Sequence, residues 1–267
     1  MDGKLSISPY DLYARLGTAA APVIIDVRRP ADFATVETLI VSAEHRSPEE
    51  VAHWRTDLPA ARSVVVYCVH GRETSQQAAA ALRAAGVDAA YLAGGIVDWT
   101  EKRLPTRRNI GTTSGKWVTR EHPKIDRIAC PWLIRRFIDP DAEFIYVPTN
   151  QVLAVAQQSG GTPYDIDGVE FTHEGARCSF DTILRIYDIK APALDHLATI
   201  VRGADTSRHD LAPPCSGLFA ISLGLSANFR DDHEMLAHGL TMYDAFYAWC
   251  RNCQDEKHNW NPAAIKA

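Results

Sequence analysis

The sequence lacks the features that mark membrane, secreted and disordered proteins. Its first residues contain no apolar run of the kind that a signal peptide needs, and the uncharged segment 211–229 carries two prolines and several polar side chains. Hydrophobic residues make up 46% of the chain and charged residues 23%, which is ordinary for a folded protein. We therefore expect a folded cytoplasmic protein without a transmembrane segment.

An excess of positive charge is also absent. The 267 residues include 28 Lys and Arg against 33 Asp and Glu, which gives a formal net charge of −5. This balance disfavours a nucleic-acid-binding protein that depends on a basic surface. The expected partners are small molecules or proteins rather than nucleic acids or membranes, and the sequence leaves the oligomeric state open.

Cysteines are present, but their context does not favour a disulfide framework. In a chain of this length without an export signal, free thiols that serve catalysis or metal binding are the more common reading. The six are Cys68, Cys130, Cys178, Cys215, Cys250 and Cys253.

The order of the hydrophobic patterns predicts two domains. Apolar runs at 23–27 and 63–68 predict buried parallel strands, and an Ala-rich stretch at 75–85 predicts the helix that follows the second run. Later patterns are mostly helical, with short strands predicted at 117–119, 144–147 and 169–172. A chain of this length is sufficient for two domains.

The predicted fold class is therefore a parallel α/β sheet domain followed by a mostly helical α+β domain. The first domain is assigned to residues 1–105 and the second to residues 117–267. Residues 106–116, with their basic, Gly, Ser and Thr side chains, have the composition of a linker.

Residues 68–75, where a predicted strand ends and a helix begins, give the strongest indication of a catalytic or anion-binding site. Open α/β sheets place ligands at this end of their strands, and a helix N-terminus adds positive potential. We expect a lowered pKa for the Cys68 thiol, with Arg72 as the cation nearest to a donor anion. Such a thiolate can take a sulfane sulfur from thiosulfate and pass it to a thiol or cyanide. The alternative is that Cys68 is a small buried residue that ends a strand.

The first half resembles a rhodanese-type sulfurtransferase domain over residues 1 to about 103. The matching segments are Asp26-Val27-Arg28 followed by Pro30, the Cys68-x-x-Gly71 loop, and Leu92-x-Gly94-Gly95-x-x-x-Trp99. By this resemblance Cys68 carries the persulfide, and Asp26 and Arg28 support the catalytic site. The substrate cradle that it implies consists of Val69, His70, Gly71, Glu73, Thr74 and Ser75.

Two departures from that pattern leave the substrate open. The chain between Cys68 and Gly86 is one residue longer than in the usual sulfurtransferase pattern, as in phosphatase and arsenate-reductase relatives, so a larger oxyanion fits. The sequence Thr-Leu-Ile-Val-Ser-Ala at 38–43 also replaces the usual Gly-His-Ile-Pro-Gly-Ala segment.

Acidic, His and Cys side chains recur in the second half. Asp126 and Cys130 are four residues apart, and we interpret them as a helix cap and a core residue. His173, Cys178 and Asp181 lie at a junction between a strand and a helix, where such side chains can bind a transition metal. Asp205 is a further ligand candidate. The alternative is that Ser179 caps the helix and Asp181 interacts with its dipole.

The second half resembles the C-terminal domain of chromate-resistance protein B over about residues 116–251. This bacterial family is associated with sensing or handling chromate. The matching segments include residues 124–137, 173–181, 200–205, 231–232 and 243–250. Regulators of that family carry a different N-terminal portion, so the resemblance does not extend to direct transcriptional control.

Together, these observations predict a sulfurtransferase linked to chromate resistance or response. It uses a small sulfur donor and a thiol acceptor, and it needs no cofactor for sulfur transfer. The second domain contains candidate ligands for a transition-metal ion. One alternative is a sensor or regulator that binds chromate or a metal without sulfur turnover. A further alternative is reduction of chromate by thiols.

Overall fold

The computed structural model describes residues 5–111 and 115–256, and its first half is built around a parallel sheet. Five strands form this sheet in the order β1-β6-β5-β2-β4, and β3 pairs with β7 in a separate antiparallel ribbon. The strands are β1 (Ser6–Ile7), β2 (Val23–Asp26), β3 (Thr38–Ile40), β4 (Glu44–His45), β5 (Val64–Tyr67), β6 (Ala89–Leu92) and β7 (Thr106–Arg108). The helices are α1 (Pro9–Arg15), α2 (Pro30–Phe33), α3 (Val51–Trp54), α4 (Glu73–Ala84) and α5 (Gly95–Glu101).

Local sequence explains the elements that frame this sheet. Ser8 caps α1 by accepting a hydrogen bond from the Asp11 backbone N–H, and Pro9 occupies the first helical turn, where its missing N–H costs nothing. All four residues of β5 are buried, as expected for a parallel strand that is covered on both faces. The predicted parallel α/β domain is confirmed.

The second half is mostly helical and contains a small parallel sheet in the order β10-β8-β9. The strands are β8 (Lys116–Arg120), β9 (Glu143–Val147) and β10 (Thr162–Pro163). The α-helices are α6 (Asp126–Leu133), α7 (Val152–Ser159), α8 (Ser179–Ile186), α9 (Pro192–Asp205), α10 (Cys215–Asn228) and α11 (Asp232–Ala248). Single π-turns at Ile134–Ile138 and Trp249–Cys253 extend α6 and α11.

Two sequence-based expectations in this half are wrong. Residues 169–172 do not form a strand, because the chain turns through Asp165 and Gly168, both with positive φ, and only an isolated bridge joins Phe171 to Tyr164. Asp126 does not cap α6, because Ile125 occupies the cap position and Asp126 is the first helical residue. Cys130 is fully buried, as expected of a core residue.

The segment 106–116, predicted as a linker, is partly built into the fold. Residues 106–108 form β7, and Lys116 begins β8. Arg107 is 9% exposed and donates a hydrogen bond to the Ala43 carbonyl, 2.9 Å away. The described part of this segment therefore holds a fixed position against β3.

The two faces of the five-stranded sheet are covered differently. One face packs against α3 and α4 in a core that is confined to the first half. The other face belongs to a larger core that continues into the second half, where Tyr67 and Trp99 share one cluster with Trp132 and Tyr247. The two halves therefore bury one continuous apolar surface.

Polar contacts reinforce this junction. Arg251, in the last π-turn, donates hydrogen bonds to the carbonyls of Tyr13 and Leu16, and its guanidinium lies 4.3 Å from the centre of the Tyr13 ring. The Ser42 backbone N–H donates to the Phe137 carbonyl, 2.7 Å away.

Within the described ranges, no helix is both long enough and apolar enough to cross a membrane.

Candidate functional site

Cys68 lies at the carboxyl end of β5, where the chain turns into α4. Its Sγ is 3.2 Å from the Ser75 Oγ, and the Ser75 hydroxyl also reaches the Arg72 carbonyl at 3.2 Å. The residue is 8% exposed. The loop thus surrounds a cysteine that is largely buried.

Glycine permits this loop to close. Gly71 and Gly95 both have positive φ, and a Cβ on Gly95 would collide with the carbonyl oxygens of Cys68 and Val69. The backbone N–H of Ile96 donates to the Cys68 carbonyl at 3.0 Å. The Gly94-Gly95 turn therefore packs directly beneath the Cys68 loop, and no larger residue fits at position 95.

The surroundings of Cys68 favour its thiolate. Burial opposes ionisation, but the Ser75 hydroxyl and the backbone N–H groups of Ser75, Arg72 and His70 donate towards the sulfur and lower the pKa of Cys68 below its ordinary value. The N-terminus of α4 adds positive potential at the same point. This arrangement can hold a reactive thiolate or a bound anion.

The Arg72 side chain is exposed, and within residues 5–111 and 115–256 no hydrogen bond or ion pair fixes it. His70 and Glu73 are also exposed, while Val69 and Thr74 are half-buried. Arg72 is thus free to turn towards an anion at the mouth of the loop.

Asp26 and Arg28 do not contact Cys68 in the described part of the chain. The buried Asp26 carboxylate forms an ion pair with Arg28, whose guanidinium lies 5.7 Å from the centre of the Tyr67 ring. Tyr67 belongs to the core shared by the two halves, whereas Cys68 belongs to the core beneath α4. The pair therefore sits on the opposite face of the sheet, where it stabilises the strand ends that carry the loop.

A second group of functional side chains surrounds His173. Its Nε2 is 3.2 Å from an Asp126 oxygen, 3.4 Å from an Asp165 oxygen and 3.2 Å from an Asp205 oxygen. Nitrogen and oxygen atoms from Asp126, His173 and Asp205 all lie within 4.8 Å of one another. Four separate segments thus converge on one point.

The pKa values of Asp126 and His173 in this group are raised above their ordinary values. Burial, together with the nearby Asp165 and Asp205 carboxylates, raises the pKa of Asp126. The three carboxylates around its Nε2 raise the pKa of His173. Asp165 differs from its neighbours because Arg120 and Arg127 form ion pairs with it at 2.7 and 3.2 Å.

Cys178 and Asp181 have other partners. Asp181 accepts a hydrogen bond from the Cys178 backbone N–H at 3.1 Å and forms an ion pair with Arg202 at 2.7 Å. Cys178 is fully buried at the start of α8, and burial raises the pKa of its thiol. Of the four residues predicted as metal ligands, the structure brings His173 and Asp205 together and assigns Cys178 and Asp181 to the helix cap.

Sequence reasoning missed two members of this group. Asp126 was interpreted as a cap, and Asp165 carried no signal, because it lies in an irregular turn after β10. The Lys-Ile-Asp-Arg sequence at 124–127 offered one clue, since an acidic residue in the first helical turn can also face the interior.

Two family models match the chain. The rhodanese-like domain matches residues 8–102, and the ChrB C-terminal domain matches residues 117–250. The Protein ChrB of Cupriavidus metallidurans is 32% identical over 145 residues, which cover 54% of this chain and 43% of that protein. The chain thus spans less than half the length of this curated relative.

Solved structures resemble the first half. A rhodanese-related protein from Thermoplasma volcanium is 26% identical, with 39% of this chain and 97% of that chain covered and a TM-score of 0.34. A rhodanese-like domain protein from Staphylococcus aureus is 23% identical, with 36% of this chain and 91% of that chain covered and a TM-score of 0.33.

The ChrB C-terminal model covers half of the chain, and the protein therefore belongs to the ChrB C-terminal domain family, with a rhodanese-like domain in its first half.

Proposed function

We propose that the protein is a sulfurtransferase that carries sulfane sulfur as a persulfide on Cys68. The observation that supports this most strongly is the position of the Cys68 sulfur at the N-terminus of α4, among backbone N–H groups that lower the pKa of its thiol. A thiolate in such a position is a nucleophile that faces a site for anions.

The first step uses the donor anion and the Cys68 thiolate. The thiolate attacks the outer sulfur of thiosulfate, a new S–S bond forms on Cys68, and the bond to the sulfite group breaks. Sulfite leaves with the electron pair of that bond. The persulfide keeps the single negative charge of the original thiolate, so charge and atoms balance.

The second step returns the enzyme to its starting state. An acceptor thiolate or cyanide attacks the outer sulfur of the persulfide, and the Cys68 thiolate departs as the leaving group. Cyanide then leaves as thiocyanate, and a thiol acceptor leaves as its own persulfide. No metal or organic cofactor enters either step.

Ser75 supports both steps through one rotating hydroxyl. When Cys68 is protonated, the Ser75 hydroxyl donates to the Arg72 carbonyl and accepts from the thiol. When Cys68 is ionised, the hydroxyl turns and donates to the sulfur. The backbone N–H groups of the loop, which need no reorganisation, stabilise the same charge.

Chromate gives the second candidate function. Membership of the ChrB C-terminal domain family favours a role in the response to chromate, which the protein would fulfil as a sensor if the Cys68 loop only binds an oxyanion. We place sulfur transfer first, because binding an anion alone requires no nucleophile at position 68. Reduction of chromate by thiols also stays a prediction.

The deciding experiment is the intact mass of the full chain after incubation with thiosulfate in the absence of reductant. We expect a gain of one sulfur atom that is lost on addition of cyanide. Cys68→Ser should show no gain, whereas Cys253→Ser, at a partly exposed thiol outside the loop, should behave as the native chain does.

Two results would overturn sulfur transfer. One is an unchanged mass in the native chain, and the other is an equal gain in Cys68→Ser. In either case, binding of chromate and its consumption in the presence of a thiol reductant distinguish the sensor from the reductase.

A further inference from the structure

One imidazole nitrogen faces three carboxylates in the second half. The Nε2 of His173 lies 3.2 to 3.4 Å from oxygens of Asp126, Asp165 and Asp205. This nitrogen carries at most one proton, so it can donate a full hydrogen bond to only one of the three. The geometry therefore leaves room for a further positive charge among the three carboxylates.

We propose that Asp126, His173 and Asp205 bind one divalent first-row transition-metal ion. This site is separate from Cys68 and goes beyond the proposed sulfur transfer. The three side chains present ligand atoms within 4.8 Å of one another, which allows one ion to contact all of them. A divalent cation also balances the charge that these carboxylates concentrate in a buried position.

Charge around the group distinguishes ligands from supporting residues. Asp165 already has two cationic partners, Arg120 and Arg127. Among the described residues, Asp126 and Asp205 have no cationic partner other than His173. The two carboxylates that lack an arginine partner are thus the ones that a metal ion would neutralise.

Hydrogen bonds from outside hold these side chains in place. The Ser179 hydroxyl donates to Asp165 at 2.8 Å, and the Ser179 backbone N–H donates to Asp126 at 3.4 Å. Ser179 lies at the N-terminus of α8, while Asp126 begins α6 and Asp205 ends α9. Helix termini position Asp126 and Asp205, and the Ser179 contacts hold Asp126 and Asp165, as is common around metal sites in proteins.

Exposure leaves a path for the ion. The side chains of Asp126 and Asp165 are 3% and 4% exposed, whereas those of Asp205 and His173 are 14% and 43% exposed. The group therefore has a buried floor and an open side. Water or a small ligand can complete the coordination from that side.

The donor set selects the class of ion. One imidazole nitrogen with carboxylate oxygens suits Mn²⁺, Fe²⁺, Co²⁺ or Zn²⁺, while soft Cu⁺ prefers thiolates and Ca²⁺ prefers oxygen alone. The nearby thiol of Cys178 points to Asp181 instead, at 3.5 Å. On binding, His173 gives up its Nε2 proton to solvent and uses the nitrogen lone pair for the metal.

The test titrates Co²⁺ into the full chain after treatment with a chelator, and follows visible absorption. A Cys68→Ser background removes the reactive thiol as a competing ligand. We expect one Co²⁺ per chain, ligand-field bands without a thiolate charge-transfer band, and displacement by Zn²⁺. His173→Gln and Asp205→Asn should each weaken binding by about tenfold or more.

Matched controls are two exposed residues away from the group. His53→Gln and Asp210→Asn should bind Co²⁺ as the background protein does. Circular dichroism of every variant checks that the fold is kept. Asp205 lies at a partly exposed helix end, so Asp205→Asn should fold and can test the proposal even if another variant does not fold.

Three results would overturn the proposal. The first is absence of Co²⁺ binding up to millimolar concentration. The second is unchanged affinity in both folded ligand variants. The third is a thiolate charge-transfer band that Cys178→Ser abolishes, which would assign the metal to the cysteine instead.

Discussion

The Cys68 loop and the group around His173 are suited to charges of opposite sign. The loop surrounds a sulfur atom with backbone N–H groups and a helix N-terminus, so it stabilises negative charge. The His173 group gathers three carboxylates around one nitrogen, so it attracts positive charge. The same chain thus places a backbone environment that favours negative charge and a side-chain environment that favours positive charge at two separate positions.

The difference has a structural cause. Backbone N–H groups are fixed as soon as a loop of the correct shape forms, and glycines allow that shape. Carboxylates from separate elements must instead be held together against their mutual repulsion. The packing of those elements in the buried core supplies the necessary free energy. We therefore expect the reactivity of Cys68 to depend on the backbone conformation of its loop. We expect the stability of the His173 group to depend on bound cations.

The largest expected effect comes from Gly95→Ala. The added Cβ meets the carbonyls of Cys68 and Val69, and a left-handed backbone is unfavourable for alanine. We expect a loss of more than about 3 kcal/mol of stability or, in a chain that still folds, loss of persulfide formation. Chemical denaturation and intact mass measure the two effects.

Gly86→Ala is the matched control for that variant. Gly86 also has a positive φ, but a Cβ there meets nothing within 4 Å. Its cost should stay near about 1 to 2 kcal/mol, with Cys68 chemistry intact. Equal effects of the two substitutions would show that close packing beneath the loop is unimportant.

Metal loading should give the next largest effect. A free Mn²⁺ or Zn²⁺ concentration of about 100 times its Kd would stabilise the native state by about 2.7 kcal/mol, or roughly 5 to 10 °C in Tm. Thermal unfolding with and without chelator measures the shift. Persulfide formation at low temperature should be unchanged by the chelator, because the Cys68 loop contains no residue of the His173 group. If the chelator removed both the thermal stabilisation and persulfide formation, the two sites would not be separate.

Ser75→Ala should have the smallest effect. The Cys68 pKa lies below its ordinary value, so alkylation by iodoacetamide should rise with pH and reach its plateau earlier than for an ordinary thiol. Loss of the Ser75 hydroxyl should move this profile to higher pH and slow alkylation about tenfold at neutral pH. Ser216→Ala, at an exposed position in α10, should leave the profile in place.

Continuity in sequence decided what could be predicted. Cys68, Gly71 and Ser75 lie within eight consecutive residues, so the predicted strand before them and the predicted helix located the candidate site. The ligands around His173 come from positions as distant as 126 and 205, and no local pattern could show that they meet. Asp165 is the clearest case, because only the folded turn after β10 brings its carboxylate to Ser179.

The same reason explains the missing strand at 169–172 and the contacts that Arg107 makes within the predicted linker 106–116. Val169 and Phe171 have strand-forming side chains, but backbone turns on either side prevent pairing, and side-chain propensity does not report a turn. Arg107 lies in a segment with the composition of a linker, yet its guanidinium meets a carbonyl 64 positions earlier. Tertiary contacts overrode local composition in both places.

The core shared by the two halves limits how this protein can change by recombination. A domain attached by a linker alone can be exchanged for another without repair, because no surface depends on it. Here Tyr67 and Trp99 belong to the same buried core as Trp132 and Tyr247, so a replacement first domain would need a matching apolar face as well as a working loop. We therefore expect substitutions beneath the sheet to disturb the packing of both halves.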